Sequence, residues 1–324
     1  MREKLGRDPC GIIALERVTE AMHQSGFAAV GIVIVHFHAE RLLARCVESL
    51  QRSSLRSFQV VVVDNGSRED LSWVEGDPRF RLVRNATNTG FAAATNVGLQ
   101  SLPEPIPLVL SLNPDVVLEP DVLAEMVQVM KTNEALGAAT CRLLLPSGEI
   151  DPACRRTEPT VWSSLCKQLG LSRLARGSRI FGSYNLNHLD STRPHPIDAG
   201  TCAFLLIRAR ALIECGGGLD ERFFLYGEDL DLCRRLREAG YPLLYWPEVS
   251  AVHYKGSQRV RTASVTAHFY RAMWLYYRKW GRFRSNPLVL GPLLLAIVAL
   301  GSVELVRNEV KRCLARRVRD EDLP

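Results

Sequence analysis

The chain predicts an α/β fold built on a doubly wound, mostly parallel sheet, and three observations carry that prediction. Strand-like and helix-like patterns alternate from Val30 onward, the order expected of parallel strands joined by helical crossovers. The runs Val30 to Val35 (VGIVIV) and Val60 to Val63 (VVVV) are almost continuously apolar, as strands covered on both faces require. The long runs stop at polar residues: His36 and His38, Asp64 and Asn65, Asn113 and Asp115. Open α/β sheets bind ligands beyond the carboxyl ends of their strands, so these side chains are expected to converge on one crevice.

Residues 1–28 read as an added helix or loose arm. After the first strand, Leu42, Leu43, Cys46, Val47 and Leu50 mark one face of a helix. The VVVV strand ends in Asp64-Asn65-Gly66-Ser67, a turn sequence. Phe80 to Val83 is a short strand, Gly90 to Gln100 a helix of small residues, and Ile106 to Leu112 a further strand. A helix over Asp121 to Lys131 and a strand near Ala138 to Leu145 complete this half. Residues 146–197, rich in Arg, Ser, Pro and Asn, read as a long excursion over the crevice, with a helix at Val161 to Leu169. Long loops of that kind are often functional. Ile197 to Arg208 returns to a strand, Ala209 to Cys215 is helical, and Tyr241 to Trp246 and Val249 to His253 are short strands. Thr262 to Trp280 is an aromatic helix with basic flanks.

At 324 residues, 47% apolar and 23% charged, the chain has the make-up of an ordinary globular protein with room for one large domain and appendages. Its cysteines form no CxxC pair, and Cys141, Cys202 and Cys233 sit in apolar runs, which argues for reduced, buried thiols and against zinc. The apolar run Gly11 to Leu15 is too short for a secretory signal. No GxGxxG occurs, which disfavours a dinucleotide cofactor. Between Lys255 and Arg284 there are eight basic residues and no acid, a patch suited to nucleic acid, anionic lipid or a diphosphate. Pro287 to Val303 then carries no charge for seventeen residues, close to the lower limit for a membrane span. Gly291-Pro292 interrupts it and Arg307, Lys311, Arg312, Arg316 and Arg317 follow. An interfacial or re-entrant hairpin fits that pattern better than a simple span, and a buried C-terminal helix is the alternative.

The stretch Gly216 to Arg235 (GGGLDERFFLYGEDLDLCRR) is expected to open a helix whose apolar stripe is Leu232, Cys233, Leu236 and Ala239. Asp229 falls three, four and seven residues before Leu232, Cys233 and Leu236, which places it on the buried side. Asp231 points away, toward Arg235 at i+4. A carboxylate on an apolar face is costly unless it has a partner or a task, so Asp229 stands out as a candidate functional residue. Asp115, at a strand end behind a proline, suits a hard cation such as Mg²⁺ or Mn²⁺, although Asn-Pro-Asp is also a plain turn sequence. Asp64 could accept a hydrogen bond from a pyrimidine base, and His253 could ligate Mn²⁺ or be structural.

Taken together, VGIVIVHFHAERLLARCVESL, VVVVDNGSRED, VRNATNTGFAAATNVGL, LSLNPDVVLEPD and GGGLDERFFLYGEDLDLCRRLREAGY followed by PEVSAVHYKGS resemble, in one order, the family 2 glycosyltransferases of GT-A fold, and among them the bacterial rhamnosyltransferase-like branch. The resemblance covers about residues 30–280. It implies an arm at 1–28, a GT-A domain at 29–260 and a helical, basic and apolar membrane-associating region at 261–324. The domain's nucleotide-sugar half would be about 29–145 and its acceptor half about 198–260. It also implies that Asp64 contacts the base beside a pocket made by the backbone at Val35, His36 and Phe37, and that Asn88, Gly90 and Asn96 pack close to the donor. Asn113 and Asp115 match the metal-binding D-x-D motif with Asn in first place, which leaves the carboxylate ligation to Asp115. His253 matches a histidine that completes the metal site in some members, and Asp229 the catalytic base, with Glu228 as its neighbour and next candidate.

The implied reaction is an inverting, Mg²⁺- or Mn²⁺-dependent transfer from a nucleotide sugar, dTDP-L-rhamnose by analogy, to a hydroxyl of a lipid-linked or cell-surface glycan. The implied partners are that donor and a glycan or polyprenyl-diphosphate-linked acceptor, at the cytoplasmic face of the inner membrane or in the cytoplasm. Other readings are weaker. A processive synthase would carry several spans and Q-x-x-R-W, to which Tyr277-Arg278-Lys279-Trp280 is a poor match. A non-catalytic nucleotide-sugar-binding scaffold would lack Asp115 or Asp229, and no nucleic-acid-binding module is present.

Overall fold

The structure is a computed structural model that describes residues 28–103, 105–168, 178, 180, 182–255, 262–282 and 284–321. The expected N-terminal arm, except Ala28, lies outside the described residues, as do Arg259 and Arg261 of the basic patch. The strands are β1 (Val30–His36), β2 (Phe58–Asp64), β3 (Phe80–Arg84), β4 (Leu108–Leu112), β5 (Val116–Leu118), β6 (Ala138–Leu144), β7 (His195–Ile197), β8 (Phe204–Arg208) and β9 (Leu243–His253). The helices are α1 (Glu40–Gln51), α2 (Phe91–Gln100), α3 (Val122–Thr132), α4 (Val161–Gln168), α5 (Ala209–Glu214), α6 (Glu228–Glu238), α7 (Ala263–Trp280) and α8 (Pro287–Glu321).

All nine strands form one sheet in the order β3-β2-β1-β4-β8-β6-β9-β5, with β7 paired to β9. β1 to β4 are mutually parallel, β8 runs antiparallel to both β4 and β6, and β9 is again parallel to β6. Both faces are covered, as the continuous apolar runs require. Ile32, Ile34, Val60 and Val62 pack with Leu43, Val47 and Leu50 of α1. Val35, Val61 and Val63 pack with Ala94 of α2 on the other face. The small residues of α2 let it lie close to the sheet: a Cβ on Gly98 would come within 2.4 Å of Val33. The described cysteines are all free and most are buried, as expected.

Three expectations are corrected. The single strand read over Ile197 to Arg208 is two, because the backbone of Asp198 and Ala199 bonds to Arg156 of the excursion and leaves the sheet between β7 and β8. The two short strands read over Tyr241 to Trp246 and Val249 to His253 are one. The register against β6 jumps from Trp246 to Ser250, so Pro247 sits in a bulge where it owes the ladder no N–H. The strand β5 lies where only a turn was expected, and its pairing with β9 brings Asp115 beside His253.

The C-terminal hairpin is also corrected. α8 is one helix that continues through Pro292, which lacks the N–H of a single second-turn bond and leaves the rest of the ladder intact. It runs antiparallel to α7. Ile297, Leu293 and Leu300 pack on Tyr270, Met273 and Tyr277, while Glu304 accepts from the Tyr270 hydroxyl. The buried-helix alternative does not describe it either: Leu288 is 83% exposed, Leu295 72% and Val303 67%. Pro287–Val310 is long and apolar enough to cross a membrane by length and composition alone.

Candidate active site

Asp64 ends β2 and is buried. Its Oδ1 accepts from the Ser67 amide at 2.9 Å and its Oδ2 from Arg84 at 2.8 Å. Burial alone would push this carboxyl up. The hydrogen bonds from Ser67 and the nearby His36 and Arg84 outweigh burial and hold it below the usual carboxylate value. His36, at the end of β1, is buried with its Nε2 2.5 Å from Glu69. The Phe37 ring is 44% exposed against His38, which is itself open to solvent. The Val35 side chain belongs to the core, so only its backbone can face the crevice.

Asn65, next to Asp64, is the hub of the following loop. It donates to Asn88 Oδ1 at 3.0 Å and to the Gly90 carbonyl, and accepts from Asn85 and from the Thr89 amide. Asn88 in turn accepts from the Gly90 amide. Gly90 has φ +88°, and a Cβ there would lie 2.6 Å from the Phe224 carbonyl, to which the Phe91 amide donates. Asn96 brackets the same stretch from α2: its amide nitrogen donates to Leu219 and Glu221 and its oxygen accepts from the Leu219 amide. Gly90 and Asn96 therefore dock the Gly216–Gly227 stretch against the sheet, and Asn96 lies outside the lining of the central chamber.

A second group assembles at the mouth of β4. The β5–β9 register sets Val116 opposite His253, and the Tyr254 amide donates to the Asp115 carbonyl. Asp115 Oδ1 then stands 3.3 Å from His253 Nε2, with Asn113 lining the chamber beside them. His253 Nδ1 faces Asp151 at 2.7 Å, and Asp151 also pairs with Lys255 at 2.7 Å. Burial pushes the His253 imidazole down, but the two carboxylates more than reverse this and lift it to about 9. Asp151 is held well below the usual range, its burial outweighed by His253 and Lys255. Two cis ligands of an octahedral Mg²⁺ or Mn²⁺ stand about 3.0 Å apart, given bonds of roughly 2.1 Å. The Asp115–His253 separation fits that geometry, and Asp151 on the far imidazole nitrogen is the carboxylate that histidine ligands usually carry. Among the described residues no group of three His, Cys, Asp or Glu forms a self-sufficient cage, so the remaining ligands of any ion would come from phosphate or water.

The third group lies at the N-terminus of α6. Gly227, in the left-handed region at φ +85°, turns the chain into the helix. Asp229 Oδ1 accepts from the Leu230 amide at 2.7 Å and Oδ2 from Arg156 at 2.5 Å. Glu228 is buried, with Oε2 unpartnered among the described residues. Burial and the adjacent Asp229 push its carboxyl up to about 8. Asp231 does pair with Arg235 at 2.9 Å, but it does not point away into solvent. It is fully buried under α7, where it also accepts from Lys279 and Trp280.

One chamber of about 560 Å³ is lined by Asn113, Asp151, His253 and Lys255 of the second group and by Glu228, Asp229 and Arg156 of the third, and Asp115 meets it through His253. Val265, Phe269, Met273 and Tyr276 of α7 form an apolar and aromatic wall. The sequence reading did not single out Asp151, Arg156 or Tyr184, all in the excursion; the only signal was that a long polar loop overlay the crevice.

A mixed sheet of this order, flanked by helices and bearing polar side chains at its strand ends, is an architecture of GT-A type. Solved structures agree at the level of fold. A GalNAc-T7 crystal structure with UDP, GalNAc and Mn²⁺ superposes with TM-score 0.55 at 15% identity, covering 81% of this chain and 52% of that one. A Pyrobaculum calidifontis mannosyltransferase in complex with GDP-Man and Mn²⁺ gives 0.52 at 16% identity, over 94% and 82%. Residues 31–176 match the model of glycosyl transferase family 2. The N-acetylglucosaminyl-diphospho-decaprenol L-rhamnosyltransferase of Mycobacterium tuberculosis H37Rv is 27% identical over 299 residues, 87% of this chain and 93% of the relative. The Escherichia coli K12 rhamnosyltransferase WbbL is 24% identical over 147 residues, 45% and 52% of the two chains. The chain is a rhamnosyltransferase-like enzyme carrying a family 2 glycosyltransferase domain, and its reaction class is hexosyl transfer.

Proposed function

We propose that the enzyme transfers L-rhamnose from dTDP-L-rhamnose, with inversion, to a hydroxyl of a lipid-linked glycan. The observation that carries the reading is the shared chamber: Asp229 lines the same cavity as His253, whose Nε2 stands 3.3 Å from Asp115. A base and a diphosphate site at one cavity are what single displacement at an anomeric carbon needs. The rhamnosyl donor and the diphospho-lipid acceptor rest on the relatives whose names contain them.

In this reading the nucleoside lies over Asp64, whose charge and position are fixed by Ser67 and Arg84. Asp115 and His253 would hold a divalent ion, which supplies charge neutralisation for the departing diphosphate. Lys255 adds a fixed positive charge at that end, and Asn113 a neutral amide. Asp229 accepts the proton of the attacking hydroxyl as the new glycosidic bond forms and the bond to the diphosphate breaks. The α7 wall excludes water and gives an apolar surface to the acceptor. The exposed apolar side of α8, followed by Arg307, supports contact with the cytoplasmic leaflet, where a polyprenyl-linked acceptor would be met.

Mn²⁺-dependent release of dTDP from dTDP-L-rhamnose, stimulated by a polyprenyl-diphosphate-linked sugar, tests the reading. Stimulation by UDP- or GDP-sugars in its place would reassign the donor, and release without any response to the lipid-linked sugar would reassign the acceptor. Replacing Leu288, Leu295 and Val298 by Gln is expected to move the protein from the membrane to the soluble fraction. An unchanged distribution would remove the membrane role of α8.

A further inference from the structure

Arg156 belongs to the excursion between β6 and α4, and its backbone is fixed on both sides. Its amide donates to the Ala199 carbonyl at 2.9 Å, and its carbonyl accepts from the Ala199 amide at 3.0 Å. From that anchor the side chain runs inward, 8% exposed, and one guanidinium nitrogen reaches both the Gly200 carbonyl and Asp229 Oδ2. The other oxygen of Asp229 is taken by the Leu230 amide in the first turn of α6. Each carboxylate oxygen is thus tied to a rigid element, one to a helix and one to the sheet-bound excursion. The plane of the group is fixed while Asp229 still lines the chamber.

Docking of the excursion does not explain this contact. Glu158, two residues on, already ties the segment to α6 through ion pairs with Arg234 and Arg237. A buried ion pair is also a weak source of stability, since apolar side chains of similar volume hold a fold as well or better. What the pair does supply is a carboxylate of defined orientation.

We propose that Arg156 is the positioning residue of the transfer reaction: it holds one oxygen of the Asp229 carboxylate so that the group stays aimed into the chamber. This rests on the reading of Asp229 as the base and deepens it. The relevant geometry is a bond at 2.5 Å between groups 73 positions apart in the chain.

The test compares full-length Arg156→Met, Arg156→Lys, Glu158→Gln and Asp229→Asn with the wild type. Turnover is measured with Mn²⁺ and dTDP-L-rhamnose, and with UDP- and GDP-sugars in parallel. Arg156→Met should lower kcat by about 10²-fold, the scale of a misaligned catalytic group. The donor KM should stay unchanged, Arg156→Lys should recover part of the loss, and Glu158→Gln should keep wild-type kcat. Crystal structures of the two Arg156 variants provide a readout that needs no donor: the Asp229 carboxylate should leave its chamber-facing position in the Met variant and hold it in the Lys variant. An unmoved carboxylate, a wild-type or raised kcat in Arg156→Met, or an equal loss in Glu158→Gln overturns the proposal. Full activity in Asp229→Asn removes the base reading and the proposal with it. Inactive Asp229→Asn beside active Arg156→Met removes the proposal alone.

Discussion

The proposed nucleotide side and the proposed transfer side of this enzyme are held together in different ways. Around Asp64 the bonds are short in sequence: Arg84 is 20 positions from Asp64, and Asn88 is 23 from Asn65. Around Asp229 and Asp115 they are long: Arg156 meets Asp229 across 73 positions, and Asp151 meets His253 across 102. The first region is a strand end and its own loop, so its geometry follows from local turn chemistry. The second exists only where the excursion, α6, α7 and β9 have been brought together. Damage on the nucleotide side should therefore stay local, whereas damage on the transfer side should spread to catalysis, metal affinity and stability.

Asp229→Asn is the strongest challenge to that division. Transfer is expected to fall by about 10²–10⁴-fold, the usual contribution of a general base. Thermal stabilisation by dTDP with Mn²⁺ should persist, because the nucleotide side does not depend on Asp229. Loss of nucleotide binding together with activity would show the two regions to be one unit.

Asp231→Ala should act on stability. The substitution strips Arg235, Lys279 and Trp280 of a common buried acceptor, and breaking a buried pair costs about 3–5 kcal/mol. Denaturant unfolding reads this directly. A cost below about 1 kcal/mol, the range of surface pairs, would mean that α7 is held to α6 by apolar packing alone.

Asp151→Asn sharpens the metal corner. It leaves the proposed ligands in place but weakens the carboxylate behind His253, so Mn²⁺ affinity should drop by about 10- to 100-fold. Titrating Mn²⁺ against nucleotide release measures it, and an unaltered half-saturation point would confine Asp151 to a structural part.

A further expectation concerns the pH dependence contributed by Glu228. Its carboxyl is raised in the folded protein from 4.5 to about 8, by burial first and by Asp229 second. The folded state thus favours the proton more than the unfolded state does. This contribution is fully present below about 4.5 and fades as pH rises toward about 8. Glu228→Gln removes the titration, so its melting temperature relative to wild type should rise steadily between pH 5 and 8. A constant difference across that range would show that Glu228 is not the neutral member of the pair.

Much of the nucleotide side was legible because its signals are consecutive. VVVV followed by Asp-Asn-Gly-Ser specifies a buried strand and its turn, and β-branched runs alternating with helical stripes specify the parallel half of the sheet. The phase of Asp229 on α6 was legible for the same reason, as a 3.6-residue period fixes which side chains share a face. Asp231 was legible only in part. Its i+4 partner follows from helix geometry, but its burial depends on α7, which begins more than thirty residues later. Pro292 suggested a break, yet one missing N–H in the second turn is too small a loss to divide a helix that packs along α7.

By itself, then, the sequence determined the strand and helix sequence of the first half except β5, the strand-end placement of Asp64 and Asp115, and the position of Asp229 at the start of a helix. Each depends on neighbours within a few residues. Only the tertiary structure decided that His253 faces Asp115, that Asp151 backs it, and that Arg156 grips Asp229. Those contacts depend on the β5–β9 register and on where a long polar excursion returns to the sheet. Ion pairs between distant segments leave no periodic mark in the chain, because a charged side chain carries no record of the partner that folding will bring to it.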